Sequence, residues 1–399
     1  MNTQHLSKKM VCFSANDQQL SKFEKLWKLK DGISYNCYLL RGEKNLLVDT
    51  VEKRFADELL KEINKELQNK PLDYLLINHM EPDHSGTILT LLEKYPKLKL
   101  IGNHKTVVFA KGFYDLDEKN FIEVATGGKL DLVDHQLEFI QTPMAHWPES
   151  MVALEKNSKT LFSSDIFGGY KTVENQVLAE KRNDLDEFID QARAYFATVL
   201  GGYTRPTLSS LKKLQALKIE CIAPAHGLVW QKNHQQIYDL YLRWSQYFTD
   251  NEKSPGVTVI IGSMYGHTWI IGELIKQELA DAGLRVDLLD VSQTSQTEQL
   301  NCVWKNQGLI IGSCTYSDSL FPPVSWLLDA LIERKVKNKY LGIFSSHSWT
   351  GGAMRYLQKF AKESKLELLE PSFETQFKMR KESQQAAKKL AGAMIKKLN

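Results

Sequence analysis

No Cys-x-x-Cys pair occurs anywhere in the 399 residues, and the five cysteines, Cys12, Cys37, Cys221, Cys302 and Cys314, are scattered. That excludes a built-in rubredoxin-like iron site. Their odd number and wide separation also argue against a disulfide framework, so a reducing compartment is expected. Charge of one sign is missing too: 51 Lys and Arg stand against 48 Asp and Glu, a net +3, which gives no reason to invoke nucleic acid. The basic pairs Arg334-Lys335, Lys388-Lys389 and Lys396-Lys397 read as solvated helix faces, with a docking patch for an acidic redox partner as the sharper alternative. No apolar run reaches the ~20 residues of a membrane span, and Met1 to Lys9 is polar, so neither export nor insertion is expected and the cytoplasm is the expected setting. Both common nucleotide fingerprints are absent: there is no Gly-x-Gly-x-x-Gly for a dinucleotide and no Gly-Lys-Ser/Thr for a nucleoside triphosphate.

The length exceeds one typical core, and 43% hydrophobic content is ample for two. The polar stretch Thr249 to Gly256 ends in Pro-Gly and separates a helical pattern around Tyr238 to Tyr247 from a new apolar strand. Domains of residues 1–250 and 251–399 are expected.

Seven side chains dominate the first half. His79, Glu81, Asp83 and His84 sit in one short turn after the apolar Leu75-Leu76-Ile77, and His146, Asp165 and His226 come later. Asp165 follows Thr160-Leu161-Phe162, and His226 follows Cys221-Ile222-Ala223-Pro224, so both fall where strands give way to loops. A single such turn is ordinarily a polar loop, and one Asp ordinarily a cap. Four of the ten histidines and three carboxylates at strand ends are a different matter. In the turn His79 and Glu81 share one side, with Asp83 and His84 further round, which suits two adjacent metals better than one. His5, His104, His135 and His234 are expected at the surface or in loops.

This spacing resembles the metallo-β-lactamase fold, whose motif reads His-x-His-x-Asp-His followed by distant His, Asp and His ligands. Glu81 departs from it. A hard anionic oxygen replaces the second imidazole, which favours iron over zinc.

In the second half, Val257 to Ile261 reads as a buried strand running into Gly262-Ser263-Met264-Tyr265-Gly266-His267-Thr268. A helix follows with Ile270, Ile271, Leu274, Ile275 and Leu279 on one face; Gly283 closes it, and Arg285 to Val291 forms the next strand. Hydroxyls of Ser263 and Thr268 around Gly266, with a helix N-terminus behind them, suit an anion. The pattern Ser-x-Tyr-Gly-x-Thr resembles the phosphate loop of flavodoxins, which bind FMN. Two more strands, Leu309 to Ile311 and Leu341 to Phe344, lead into loops containing Ser313, Thr315 and Tyr316, and Ser345, His347, Trp349 and Gly351. In a doubly wound sheet such loops share the carboxyl edge. Tyr316, His347 and Trp349 are candidates to flank an isoalloxazine ring, the alternative being ordinary packing at loop mouths.

Taken whole, the chain resembles the flavodiiron proteins, or A-type flavoproteins, from end to end. The resemblance rests on His-x-Glu-x-Asp-His at residues 79–84, the later ligands, His146-Trp147-Pro148-Glu149-Ser150-Met151, Ala225-His226-Gly227 and Leu320-Phe321-Pro322-Pro323. It implies an α/β chain, with an N-terminal metallo-β-lactamase-like αββα sandwich followed by a C-terminal flavodoxin-like doubly wound parallel sheet. It implies that His79, Glu81 and His146 bind one iron, Asp83, His84 and His226 the other, and that Asp165 bridges them; FMN would lie against Ser263 to Thr268, Ser313, Thr315, Tyr316, Ser345, His347, Trp349 and Gly351. Three flavin-loop positions depart from the family pattern: Cys314 stands where Pro is usual, Ser317 where Asn is, and Ser348 where Gly precedes the Trp.

The expected activity is reduction of O2 to water at the diiron pair with electrons relayed through FMN; the alternative at the same site is coupling of NO to nitrous oxide. A zinc hydrolase with an attached flavodoxin, and an electron carrier without turnover, are the competing classes. Trp147 either shapes a dry pocket or is ordinary core. By resemblance the electron donor is an external rubredoxin-like protein. The resemblance also implies a head-to-tail homodimer, or a dimer of such dimers, in which the flavin of one protomer faces the metals of the other; this would answer the short reach of the polar linker.

Overall fold

Buried, β-branched and aromatic-rich runs set the first sheet. Met10–Asp17 and Ile33–Leu40 pair antiparallel and are buried along almost their whole length, as strands covered on both faces must be. In the computed structural model, which describes residues 1–248 and 255–399, this sheet has seven strands in sequential order: β1 (Asn2–His5), β2 (Met10–Asp17), β3 (Ile33–Leu40), β4 (Leu46–Val48), β5 (Tyr74–Leu76), β6 (Lys99–Gly102) and β7 (Phe121–Glu123). The pairing is antiparallel up to β4 and parallel from there on. The helix Ala56–Leu67 connects β4 to β5 and buries Ala56, Leu59, Ile63 and Leu67, one stripe at helical spacing.

A second sheet holds β8 (Lys129–Asp131), β9 (Gln136–Gln141), β10 (Met151–Glu155), β11 (Thr160–Ser164) and β12 (Cys221–Pro224), again in sequential order. The two sheets are tied together near the ends of β5, β10 and β12. Asn36 N donates to Ala225 O (2.7 Å), Met151 N to Asn78 O (3.0 Å) and the Tyr38 hydroxyl to Pro224 O (2.6 Å).

The second unit is a parallel sheet in the order β14-β13-β15-β16-β17, with β13 (Gly256–Gly262), β14 (Arg285–Asp290), β15 (Gly308–Tyr316), β16 (Tyr340–His347) and β17 (Glu367–Leu368); β18 (Phe373–Gln376) also pairs with β16. The chain leaves β13 for β14 on one side and returns to β15 on the other, so the strand order reverses between β13 and β15. Val257, Val259, Ile261, Ile271, Ile275, Ile310, Phe344, Leu390 and Met394 form its core.

Contacts divide the chain into Met1–Leu242 and Arg243–Asn399. Residues 243–248 go with the second unit, where Trp304 Nε1 donates to Trp244 O (3.2 Å) and the Tyr247 hydroxyl to Arg334 O (2.5 Å). Of the expected linker, Thr249 to Ser254 lie outside the described residues. Other expectations need adjustment. Ile270 is 46% exposed while Ile271, Ile275 and Leu279 carry the buried face, because the stripe is narrower than the apolar count suggested. His135 lies in the loop between β8 and β9, as expected, but is buried there, 3.7 Å from Glu155. β15 and β16 also run several residues past their apolar stretches, taking in Ser313 to Tyr316 and Ser345 to His347, since neighbouring strands supply backbone partners there. Among the described residues no helix is long and apolar enough to cross a membrane.

Candidate active site

Strand β5 delivers the first ligand candidates. Asn78, two residues beyond it, is anchored by Asp49, which accepts from its backbone N (2.7 Å) and side chain (3.2 Å). His79 follows, and Glu81 then precedes a single helical turn, Pro82–Ser85, with Pro82 at the first position. Proline suits that position because its missing N–H would have had no partner and its φ is already helical. The turn carries Asp83 and His84 to the same place. Asp165 comes directly after β11, His226 two residues after β12, and His146 lies in the loop joining β9 to β10. Gly227, at φ +74°, lets the chain turn away from His226 against Gly169.

All seven expected residues converge in two groups. His79, Glu81, His146 and Asp165 offer ligand atoms within 4.8 Å of one another, as do Asp83, His84 and His226. Asp165 stands between the groups: Oδ2 lies 3.3 Å from His79 Nε2 and 3.2 Å from His146 Nε2, while Oδ1 lies 3.1 Å from His84 Nε2 and 3.4 Å from His226 Nε2. Glu81 Oε2 is 3.2 Å from His79 Nε2 and 3.0 Å from His146 Nε2. The Asp83 oxygens are each 3.4 Å from Nε2 of His84 or His226.

The donor set fits metal cations. Both oxygens of Asp83 and Asp165, and Nε2 of His84 and His226, are buried without a hydrogen bond, a concentration of unsatisfied polar atoms that protein interiors do not tolerate unless something else binds there. Electrostatics agrees. Burial opposes ionisation of Asp165, yet the facing imidazoles, His84 foremost, hold its carboxyl well below the usual range. Glu81 is likewise lowered against its burial by hydrogen bonds to His146 and His79. Conversely, the carboxylates overcome burial to raise His146 to about 9 and His226 to about 10, and His79 well above its ordinary value. The cavity draws in positive charge, as protons or as metal.

The far side of each ring fixes which nitrogen faces inward. His79 Nδ1 meets Glu149 Oε1 at 2.6 Å, and His226 Nδ1 meets the Ser34 carbonyl at 2.9 Å. Each Nδ1 therefore keeps its proton, and Nε2 is the nitrogen that a metal would take once its own proton is lost. Glu149 appeared in the sequence only within a longer motif. Tyr195, fully buried, gave no signal: it lies in the helix Leu185–Tyr195, with its ring 5.5 Å from His226, and burial together with the nearby Asp165 charge pushes its phenol pKa well up. Trp147 walls an apolar recess of about 620 Å³ beside His146, together with Val108, Phe109, Phe113, Met144 and Tyr203. Its ring lies 5.2 Å from His79 and 6.3 Å from Phe113, on which it stacks.

At the carboxyl edge of the second unit, Gly266 N donates to Ser263 Oγ (3.1 Å), and Gly266 at φ +87° starts the helix His267–Asp281. Met264, Tyr265 and His267 are exposed. Other expected contact residues use their side chains internally. The Thr268 and Ser346 hydroxyls bond to each other (2.8 Å), Ser313 Oγ accepts from Phe321 N (3.3 Å), and Ser345 Oγ donates to Glu374 Oε2 (2.5 Å). Thr315 Oγ1 accepts from both Gly352 N and Ala353 N at 3.2 Å, capping the helix Ala353–Ser364. Glu374, which the sequence did not single out, also lies 3.3 Å from His347 Nδ1. Gly351 passes so close to Glu374 that a Cβ there would collide with its carboxylate. Around this edge Tyr265 (88%), Trp349 (83%) and Tyr316 (47%) are exposed. Three such aromatics beside a helix N-terminus fit a ring and an anionic tail better than they fit water.

Comparison with known proteins gives the same division. The model for the ODP family beta lactamase matches residues 33–227, and that for flavodoxin matches residues 259–389. The chain is 30% identical over 347 residues to the anaerobic nitric oxide reductase flavorubredoxin of Salmonella typhi, covering 86% of this chain and 71% of that one. It belongs to the flavodiiron protein family. The flavorubredoxin of Aliivibrio salmonicida is 31% identical over 358 residues, 88% of this chain and 70% of that one. Among solved structures, the Thermotoga maritima flavoprotein matches with a TM-score of 0.89 at 26% identity, over 100% of this chain and 98% of that one. Rubredoxin oxygen:oxidoreductase from Desulfovibrio gigas shares the fold with a TM-score of 0.92 at 22% identity, over the same shares of the two chains. This flavodiiron protein is an oxidoreductase, and the family's cofactors are a non-haem iron pair and FMN.

Proposed function

We propose that the protein is a diatomic-gas reductase that converts O2 to water at a diiron pair, using electrons relayed through FMN. The observation that carries this is Asp165, which turns one carboxylate oxygen toward each ligand group. One iron would be held by His79, Glu81 and His146, the other by Asp83, His84 and His226, with Asp165 shared.

Bound iron and FMN supply reversible electron transfer, two electrons from the metal pair and two from the flavin, matching the four that O2 requires. The chain's own residues set the conditions. Glu81, Asp83 and Asp165 bring three negative charges, which stabilise two divalent ions and tolerate their oxidation. Glu149 and the Ser34 carbonyl orient His79 and His226, and the Tyr195 ring packs against His226. Trp147, Phe109 and Phe113 keep the His146 side apolar, which suits a small uncharged gas. In the second unit the Ser263–Thr268 loop and the helix behind it would take the FMN phosphate, with Trp349 and Tyr316 against the ring.

NO is the second substrate reading, favoured by the names of the flavorubredoxin relatives. An external rubredoxin-like donor and a head-to-tail dimer belong to the same proposal. The test is anaerobic reduction of purified, metal-analysed protein followed by separate O2 and NO consumption assays. Faster O2 consumption supports the proposal, and faster NO consumption selects the second reading. Zinc without iron, together with ester hydrolysis, would overturn both.

A further inference from the structure

We propose that Glu149 makes the two metal positions unequal, so that the iron held by His79, Glu81 and His146 gives up its electron before its neighbour does; this rests on the diiron reading above. The Glu149 side chain has no exposed surface. Its Oε1 accepts from His79 Nδ1 at 2.6 Å and from Met80 N at 2.9 Å. Its backbone is pinned as well, because Asn103 Nδ2 donates to its carbonyl (2.5 Å) while Asn103 Oδ1 caps the helix His104–Tyr114. Oε2 is buried without a hydrogen bond, and among the described residues His79 is the one ion-pair partner of this carboxylate. Its charge is therefore directed largely through one imidazole.

The rings of the second group lack an equivalent. His226 Nδ1 faces a neutral carbonyl, and His84 Nδ1 is buried without any hydrogen bond. Counting carboxylates, the His79 group has Glu81 and a share of Asp165, with Glu149 bonded directly behind; the second group has Asp83 and its share of Asp165, with buried Asp49 near His84 but bonded to Asn78 rather than to a ring. An anion behind a ligating imidazole makes the facing nitrogen a stronger donor and favours the more highly charged metal. Burial keeps that field from being screened. Removing one electron from the reduced pair should thus leave the ferric charge on the His79 side.

The test compares full-length wild type with Glu149→Gln, each loaded anaerobically with two irons per chain, in potentiometric titrations that read the half-oxidised state by electron paramagnetic resonance. Gln keeps the size and a carbonyl acceptor for His79 and Met80 while removing the charge. The expected result is a roughly tenfold fall in the comproportionation constant, so that the two one-electron potentials draw together by about 59 mV. A fully loaded Glu149→Gln protein with an unchanged or wider window would overturn the proposal. If that variant does not retain iron, Glu149→Asp decides: a window within about threefold of wild type supports the role of charge, and a tenfold collapse with the charge retained refutes it. Wild-type protein showing no ferrous/ferric cycling would instead bring down the diiron reading beneath.

Discussion

Raising pH should tighten metal binding to the apoprotein, and the steepness follows from the site's imidazoles. His146 at about 9, His226 at about 10 and His79, raised well above its ordinary value, are all protonated near neutrality when no metal is bound. Each must lose its Nε2 proton to become a ligand. Loading both positions between pH 6 and 8 should therefore release about three protons per chain, and each released proton contributes a tenfold rise in affinity per pH unit. The sign is fixed by the raised pKa values: competition by protons is complete below about 9 and fades as pH climbs through 9 to 10. Anaerobic ferrous titrations by calorimetry, in buffers of different ionisation enthalpy, count the protons directly. Heats independent of buffer, or affinity flat from pH 6 to 8, would show that the carboxylates do not hold these rings in their charged form, and the electrostatic account of the cavity would fail.

Three further outcomes are expected. Ile275→Ala, in the core of the second unit, should cost about 2–5 kcal/mol in chemical denaturation of that unit, with bound iron unchanged. Thr315→Val deletes the acceptor shared by Gly352 N and Ala353 N, so the second unit should lose about 1 kcal/mol and bind FMN more weakly in fluorescence titrations. Burial opposes ionisation of Glu155, yet the His135 imidazole 3.7 Å away and hydrogen bonds from Ser158 lower its pKa from 4.5 to about 2. Its contribution is thus complete above pH 4.5 and lost as pH falls toward 2, and Glu155→Gln should flatten acid denaturation curves across that window.

How much of this could be read from the chain depends on how local each feature is. His79, Glu81, Asp83 and His84 were legible because one strand end and one helical turn hold them, and Asp165 and His226 because each terminates an apolar run. The partners of those ligands were not. Glu149 reaches His79 across 70 residues of sequence, and Tyr195 approaches Asp165 from a helix whose own pattern says only that one face is buried. The flavin edge was legible as a set of loops but not in its hydrogen bonding, since Thr315 and Ser345 find partners on segments brought near by strand register. Ile270 and His135 mark the same boundary: composition assigns a residue type, and only tertiary packing decides which side of the surface it meets.

Thr315 spends its oxygen on a neighbouring helix instead of holding it open for a ligand, and Ser313, Ser345 and Thr268 are similarly engaged. The cradle of the second unit is consequently self-supporting. With FMN at this edge as proposed, it would depart and return without dismantling its berth, so stripped protein should be refillable under native conditions, with no need to pass through the unfolded chain.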